Sequence, residues 1–125
     1  MTKGIASIIV FGSASPEEQV YRPDANRILG GSPDQRVWNH YADDSGQFAA
    51  GIWEGAPGQW RVNFTEHEFC HLLSGRVIVR DDAGQQAEFK AGDSFVMPAG
   101  FTGSWEVVET ARKLYAVFEP AATAR

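Results

Sequence analysis

Short hydrophobic runs, separated by turn residues, dominate the chain after residue 37. The runs are rich in Val, Phe, Trp and Tyr, which favour strands, while Gly, Pro, Asp and Ala fill the gaps between them. They lie at 47–55, 59–64, 68–73, 76–80, 87–90, 94–98, 104–109 and 113–119. Many short strands at this spacing are typical of an antiparallel sandwich or barrel, so the pattern predicts an all-β protein.

The first third of the chain has a different pattern of residues. Residues 12–36 hold three prolines and three glycines and show little periodicity. We predict an extended N-terminal arm over residues 1–35, with turns at Gly30-Gly31 and Ser32-Pro33-Asp34. This arm either completes the sheet of the barrel or reaches across to a neighbouring subunit. The barrel itself is predicted over 36–120, with a tail at 121–125.

Composition narrows the class of protein. With 125 residues and 43% hydrophobic content, the chain is sized for one core, and its net charge of −5 offers no basic stripe for nucleic acid. Cys70 is the single cysteine, which excludes an intrachain disulfide and favours a reducing, cytoplasmic location. No apolar run is long enough to cross a membrane. We interpret the short apolar run 5–11 as a strand or arm packed on the body rather than a secretory signal.

A zinc-peptidase motif, HExxH, is present as His67-Glu68-Phe69-Cys70-His71. It requires a helix, on which both imidazoles share one face. Gly75 follows closely and β-forming residues precede the motif, so the segment is predicted to be a strand. In a strand the two histidines are separated by roughly 13 Å, whereas metal ligands lie about 2 Å from the ion. The geometry therefore excludes a zinc peptidase.

The strand prediction divides this segment into two faces. Because side chains alternate along a strand, one face carries Glu68, Cys70 and Leu72, and the other carries His67, Phe69, His71 and Leu73. Both faces contain large apolar side chains, so both are expected to be covered. One would form the barrel interior and the other would contact a further layer or a second subunit, which leads us to expect a homodimer. The two histidines are interpreted as surface or interface residues.

Two stretches resemble motifs of the cupin superfamily. The first cupin motif is a glycine, an HxH pair, a Glu, six residues and a Gly, and its second half is matched by Glu68 and Gly75. The second motif is a Gly, five residues, Pro-x-Gly, two residues and a His; it is matched from Gly92 to Pro98-Ala99-Gly100. The resemblance implies a double-stranded β-helix, a small jelly-roll barrel with its ligand site in the mouth.

Over residues 36–119 the chain resembles more closely the small cupins grouped with the cupin domain of ureidoglycine aminohydrolase. The matching segments are Trp53-Glu54, Pro57-Gly58, Glu68-Phe69-Cys70, Gly75, Ala91-Gly92-Asp93, Pro98-Ala99-Gly100-Phe101, Gly103-Ser104-Trp105-Glu106-Val107 and Arg112-Lys113-Leu114-Tyr115. The resemblance does not extend to the usual metal ligands. The two motif histidines fall on Val62 and Phe64, or on Arg61 and Asn63 with a longer spacer, and the last falls on Gly103. Only Glu68 remains, so we predict no tightly bound metal and no cofactor.

Glu68 is the candidate catalytic residue. A carboxylate inside an apolar barrel loses hydration unless a cation or a donor compensates, and Lys113, an arginine or Tyr115 is the expected partner. Such a group serves as a general acid or base, or only ties strands together; the sequence leaves both open. The predicted ligand-binding residues are Trp60, Val62, Phe64, Cys70, Trp105, Lys113 and Tyr115.

Two functions follow from this site. The first is a cupin that binds a small polar or nitrogenous metabolite without a tightly bound metal. The alternative is a ureidoglycine aminohydrolase-like enzyme that uses Glu68 as general acid or base, with at most a weakly held divalent metal. Fold resemblance alone does not choose between them.

Overall fold

The computed structural model describes residues 2–13 and 16–121 of the chain. They form nine strands: β1 (Gln19–Tyr21), β2 (Ile28–Gly31), β3 (Gln35–Ala42), β4 (Phe48–Gly55), β5 (Gly58–Asn63), β6 (His67–Asp81), β7 (Gln86–Lys90), β8 (Ser94–Met97) and β9 (Thr102–Phe118). Two short 3-10 turns lie at Ile5–Ser7 and Ala25–Arg27. The all-β prediction is confirmed. No helix in the described part of the chain has the length and apolar character needed to cross a membrane.

One curled antiparallel sheet contains all nine strands. Its main path runs β1-β3-β4-β9-β5-β2, and β6 pairs with β7, β8 and β9. The long strand β9 bends so that its first half pairs with β5 and its second half pairs with β4. Strand β6 lies along nearly the whole of β9. These two long strands therefore connect the two halves of the barrel.

Strands β6 and β9 are each longer than the sequence predicts, because each joins two predicted runs. The gap at Ser74-Gly75 is a bulge and not a turn: the β6–β9 register shifts between Leu72 and Val77, and pairing then continues. Gly75 permits this with a φ of 86°, in the left-handed region that favours glycine. A Cβ at this position would also overlap the backbone of Thr110 and Ala111. The strand thus bends without ending.

The N-terminal arm supplies strands to the same sheet. Strand β1 pairs with β3, and β2 pairs with β5, both antiparallel. Of the two roles left open for the arm, completion of the sheet is the one observed. Strand β3 was missing from the predicted runs because Arg36, Asn39 and His40 interrupt its apolar positions. The predicted tail beyond Ala121 and residues 1, 14 and 15 of the arm lie outside the described residues.

The apolar run 5–11 packs less closely than predicted. It contains the short 3-10 turn Ile5–Ser7, and Ile5, Ile8, Ile9 and Val10 are exposed. Phe11 alone shows an aromatic contact with the body, stacked on His40 at 4.1 Å between ring centroids. The aliphatic neighbours of Phe11 are therefore not buried against the part of the chain that the structure describes.

The core fills the concave side of the sheet. Its buried members are Trp53, Trp60, Cys70, Leu72, Val77, Val79, Met97, Trp105, Val107 and Ala111. The predicted faces of β6 are confirmed: Glu68, Cys70 and Leu72 point inward, whereas His67, Phe69 and Leu73 are exposed. The inward face of β6 therefore carries a carboxylate into an otherwise apolar interior.

Candidate functional site

An open cavity of about 490 Å³ occupies the barrel interior. Seven of the eight predicted site residues line it: Trp60, Val62, Phe64, Glu68, Trp105, Lys113 and Tyr115. Six of them come from β5, β6 and β9, which the β9 pairing places side by side, and Phe64 directly follows β5. Cys70, the eighth, lies in the core and not on the cavity wall.

A buried ion pair forms part of the cavity wall. Lys113 Nζ lies 2.9 Å from Glu68 Oε2, and the side chains are only 7% and 12% exposed. The ammonium also stands over the ring faces of Trp53 and Trp105, at 4.6 and 4.4 Å from their centroids. Lys113 is therefore the partner of Glu68, from among the partners that the sequence left open.

The positive charge of Lys113 is stabilised at its buried position. Burial is the largest single influence and lowers the pKa of Lys113, but attraction and hydrogen bonding to Glu68, together with the influence of Cys70 and Tyr21, outweigh it, so the pKa of Lys113 lies above its ordinary value. The register explains their shared face: Glu68 pairs with Val117 and Leu72 with Lys113, so both charged side chains project from one side of the β6–β9 ladder. The pair is fixed by strands and not by loops.

Tyr115, one of the three candidate partners of Glu68, forms its hydrogen bond with another residue. Its hydroxyl donates a hydrogen bond to Asn39 Oδ1 at 2.6 Å, and burial raises its pKa to about 12. Trp53 donates from its indole nitrogen to Gln35 Oε1 at 2.8 Å. These bonds tie β9 and β4 to side chains of β3, which forms one side of the cavity.

Cys70 is unsuited to nucleophilic chemistry. Its side chain is completely buried, and burial raises the pKa of the thiol to about 12, so the thiolate is scarce at neutral pH. Its sulfur lies 4.0 Å from the backbone oxygen of Glu68. The role of Cys70 in ligand binding stays a prediction. Because Cys70 does not line the cavity, such a role would depend on its packing behind the lining residues and not on direct contact with a ligand.

Several cavity residues were missed by sequence reasoning. Gln19 and Tyr21 come from β1, Gln35 and Asn39 from β3, Trp53 from β4, and Glu66 precedes β6. Glu66 was detectable, because residues two apart on an extended chain share a face and Glu68 had already been placed inside. Burial, followed by the charges of Glu119 and Glu68, raises the pKa of Glu66. Among the described residues that line the cavity, two are carboxylates, Glu66 and Glu68, and Glu68 is the one paired with an ammonium.

The donor set does not fit the metal site that cupin motifs imply. Val62 and Phe64, at the positions of two motif histidines, line the cavity with hydrocarbon. At Gly103 a Cβ would overlap the carbonyl oxygen of Arg80, so β6 leaves no room for the third histidine. Within residues 2–13 and 16–121, no three His, Cys, Asp or Glu side chains form a metal-binding group. Glu68, which occupies the remaining motif position, faces the ammonium of Lys113.

The HExxH histidines lie on the outer face, as the strand prediction requires. His67 Nδ1 accepts a hydrogen bond from the backbone N–H of Ala99 at 3.1 Å, and its ring stacks on Phe118. His71 Nδ1 is 2.7 Å from Ser94 Oγ. Because Glu68 points to the opposite side, these three residues do not form a peptidase site.

Comparison with known proteins supports the cupin prediction. The family model for the EutQ-like cupin domain matches residues 42–115. No curated protein matches the chain. Among solved structures, a DUF861-family protein of unknown function from Pseudomonas syringae pv. tomato superimposes with a TM-score of 0.73 at 24% identity, over 81% of this chain. This chain spans only 44% of that protein.

Two further structures are similar. A putative ethanolamine utilization protein Q from Salmonella typhimurium has a TM-score of 0.61 at 22% identity, over 70% of this chain and 71% of its own. A DUF861-family protein from Thermotoga maritima is 31% identical over 51% of this chain and 73% of its own, with a TM-score of 0.50. These likenesses show the fold and do not specify an activity. By the match over most of its barrel, the chain belongs to the EutQ-like cupin domain family.

Proposed function

We propose that the barrel cavity binds a small polar, nitrogenous metabolite without a tightly bound metal. The observation that carries this proposal is the buried Glu68–Lys113 pair in the wall of an open, aromatic-lined cavity. The ammonium takes the place beside Glu68 that a metal ion would need. A divalent ion held there by one carboxylate, and repelled by Lys113, would bind weakly.

The charges of the cavity favour ligands that donate hydrogen bonds. Lys113 is neutralised by Glu68, which leaves Glu66 as the unbalanced charge among the lining residues. An anionic ligand would meet Glu66 without finding a free ammonium. A neutral or cationic group with N–H donors instead gains charge-assisted hydrogen bonds to the carboxylates. The faces of Trp60 and Phe64 offer flat apolar surface for a planar group.

Calorimetric titration with two probes of similar size tests the proposal. Butylguanidine presents a planar donor head, and pentanoate presents a planar carboxylate head. We expect butylguanidine to bind more tightly than pentanoate. The substitution Glu66→Gln should weaken butylguanidine by about five- to tenfold, the range for a partly exposed charged partner. The matched control Glu88→Gln, at an exposed carboxylate paired with Arg76 outside the cavity, should leave it unchanged.

Tighter binding of pentanoate than of butylguanidine would contradict the proposed charge preference. Binding that appears only after divalent metal is added would contradict the metal-free site. Equal effects of the Glu66 and Glu88 substitutions would move the binding site out of the barrel.

The alternative function is a hydrolase of the ureidoglycine aminohydrolase type. It is favoured by the second carboxylate: the raised pKa of Glu66 suits a proton donor, while Glu68 is held as the counter-ion of Lys113. Ammonia release from ureidoglycine, with and without added manganese, measures this activity. Turnover that Glu68→Gln abolishes while retaining butylguanidine binding would make Glu68 the catalytic residue. Turnover lost only in Glu66→Gln would assign that role to Glu66.

We also propose that the protein is a cytoplasmic homodimer. Its single cysteine is buried and unpaired, as is common in reducing compartments. The outer face of the sheet exposes Phe69, Leu73, Val96 and Phe118, between 43% and 59% of each side chain. Phe69 on β6 pairs directly with Val96 on β8, and Phe118 on β9 stacks on His67 of β6, so the exposed apolar side chains lie on neighbouring strands of one face. A second copy of this face would cover it.

A further inference from the structure

A second cavity, of about 380 Å³, adjoins the barrel cavity. The two share six lining residues: Tyr21, Gln35, Trp60, Val62, Phe64 and Glu66. They are therefore two compartments of one cleft, and we refer to them as the inner and the outer compartment. The outer compartment is closed by the chain between β1 and β2, which contributes Arg22, Pro23, Asp24 and Arg27.

The charged side chains differ between the two compartments, because the arginines line only the outer one. Carboxylates outnumber cations in the inner compartment, where Glu66 and Glu68 face Lys113. In the outer compartment three arginines, Arg22, Arg27 and Arg61, outnumber the carboxylates of Asp24 and Glu66. Glu66 stands at the boundary and belongs to both. The guanidinium groups of the cleft are thus concentrated in the outer compartment.

The arginines differ in how far their charge is already satisfied. Arg22 pairs with Asp34 at 2.6 Å and Arg61 with Asp82 at 2.9 Å, and neither of these carboxylates lines the cleft. Arg27 forms no ion pair with any residue in the ranges 2–13 and 16–121. It ends the 3-10 turn Ala25–Arg27, whose next residue, Ile28, begins β2 and pairs with Trp60. A folded element therefore holds Arg27 against the cleft.

We propose that the outer compartment is an oxyanion subsite, in which Arg27, supported by Arg61, binds the carboxylate or phosphate tail of a ligand whose donor head lies in the inner compartment. The planar guanidinium fork suits both kinds of oxyanion. The head position rests on the function proposed above, whereas the tail position rests on the outer compartment alone. The ligand class is thus a small molecule with a nitrogenous head and an acidic tail.

A series of probes with one head and different tails tests this subsite. The acids are guanidinoalkanoates with two to five methylene groups, which cover the unknown span between compartments. At the best chain length, three further probes replace the carboxylate by a phosphonate, a methyl group or an ammonium. Calorimetric titration against the full chain should rank the oxyanion tails first, then methyl, then ammonium. The preferred oxyanion, carboxylate or phosphonate, identifies the source of the tail.

Substitutions locate the tail. Arg27→Gln should weaken the best guanidinoalkanoate by about fivefold, the size expected for an exposed ion pair, and leave butylguanidine unchanged. Arg27→Lys keeps the charge and should recover part of the loss. The control Arg76→Gln removes an exposed arginine paired with Glu88 elsewhere on the sheet and should change neither probe. Because Arg27 is exposed, the variant is expected to fold, which its thermal unfolding curve verifies.

The outcomes separate this inference from the proposed function. Butylguanidine that binds as tightly as every guanidinoalkanoate would overturn the oxyanion subsite and leave the head site standing. A tail preference that survives in Arg27→Gln would also overturn it, because the arginine would not be the partner. Failure of all probes to bind would overturn both proposals.

Discussion

Lys113 carries its charge in a place where few lysines are found, since its side chain is 7% exposed and its ammonium lies over two indole rings. The position is tolerable only because Glu68 balances it. A buried pair of this kind contributes little net stability compared with apolar residues, but either member alone is costly. The two side chains must therefore be considered together in any account of folding or binding.

Removal of the Lys113 ammonium should show that the stability of the protein depends on both members of the pair. We expect Lys113→Met to lower the free energy of unfolding by about 3–5 kcal/mol, because the Glu68 carboxylate stays buried without a counter-ion. The double substitution of Lys113→Met with Glu68→Leu should recover most of the loss. Urea unfolding measures all three proteins. A single variant as stable as the native protein would show that the pair is not buried in solution.

The same pair predicts a change of stability with pH. Because the pKa of Lys113 in the folded protein is raised above its ordinary value of 10.5, its contribution is complete below pH 10.5. That contribution is lost as the pH rises through the folded-state pKa. The native protein should therefore lose stability more steeply than Lys113→Met in this alkaline range, as urea midpoints measured from pH 9 upward would reveal. Parallel curves would contradict the shift.

At the scale of the element, Gly75 decides the path of β6. We expect Gly75→Ala to destabilise the protein by at least about 2 kcal/mol, because alanine is strained at a positive φ and its Cβ would overlap Thr110 and Ala111. Gly84→Ala is the matched control: its φ is 89°, but nothing lies within 4 Å of the added Cβ. It should cost about 1 kcal/mol from strain alone. Equal losses in denaturant unfolding would show that β6 and β9 are not in close contact here.

Strand parity explains why part of the site was predictable from sequence. Alternation placed Glu68 inside the barrel, and the cupin resemblance brought Lys113 and Trp105 to it. The same rule, carried two residues back, would have included Glu66. The position of Tyr21 could not be predicted from the sequence. Its strand β1 has only three residues and so no periodicity of its own, and the partner strand β3 is interrupted by polar residues. Long-range pairing, and not local pattern, decides that Tyr21 closes the cavity.

The cavity and the proposed dimer surface lie on opposite sides of the curled sheet. The concave side holds the charged and aromatic cavity, whereas the convex side of β6 and β8 holds the exposed apolar residues. A dimer formed through the convex side would leave the cavity open and stiffen the strand that carries Glu68. The proposed binding function and the proposed dimer are therefore compatible in one molecule.

Oligomeric state is the prediction that belongs to the whole molecule. At micromolar concentration we expect sedimentation velocity to give twice the chain mass of 13.7 kDa. Phe69→Lys places a charge in the centre of the apolar surface and should yield a monomer, because burial of an unpaired ammonium in the interface is costly. Leu29→Lys is the matched control: its side chain is 54% exposed, but it lies on β2, away from that surface, so the dimer should persist. A native protein that sediments as a monomer would contradict the proposed dimer. Dissociation caused by Leu29→Lys but not by Phe69→Lys would place the interface at the β2 edge of the sheet instead.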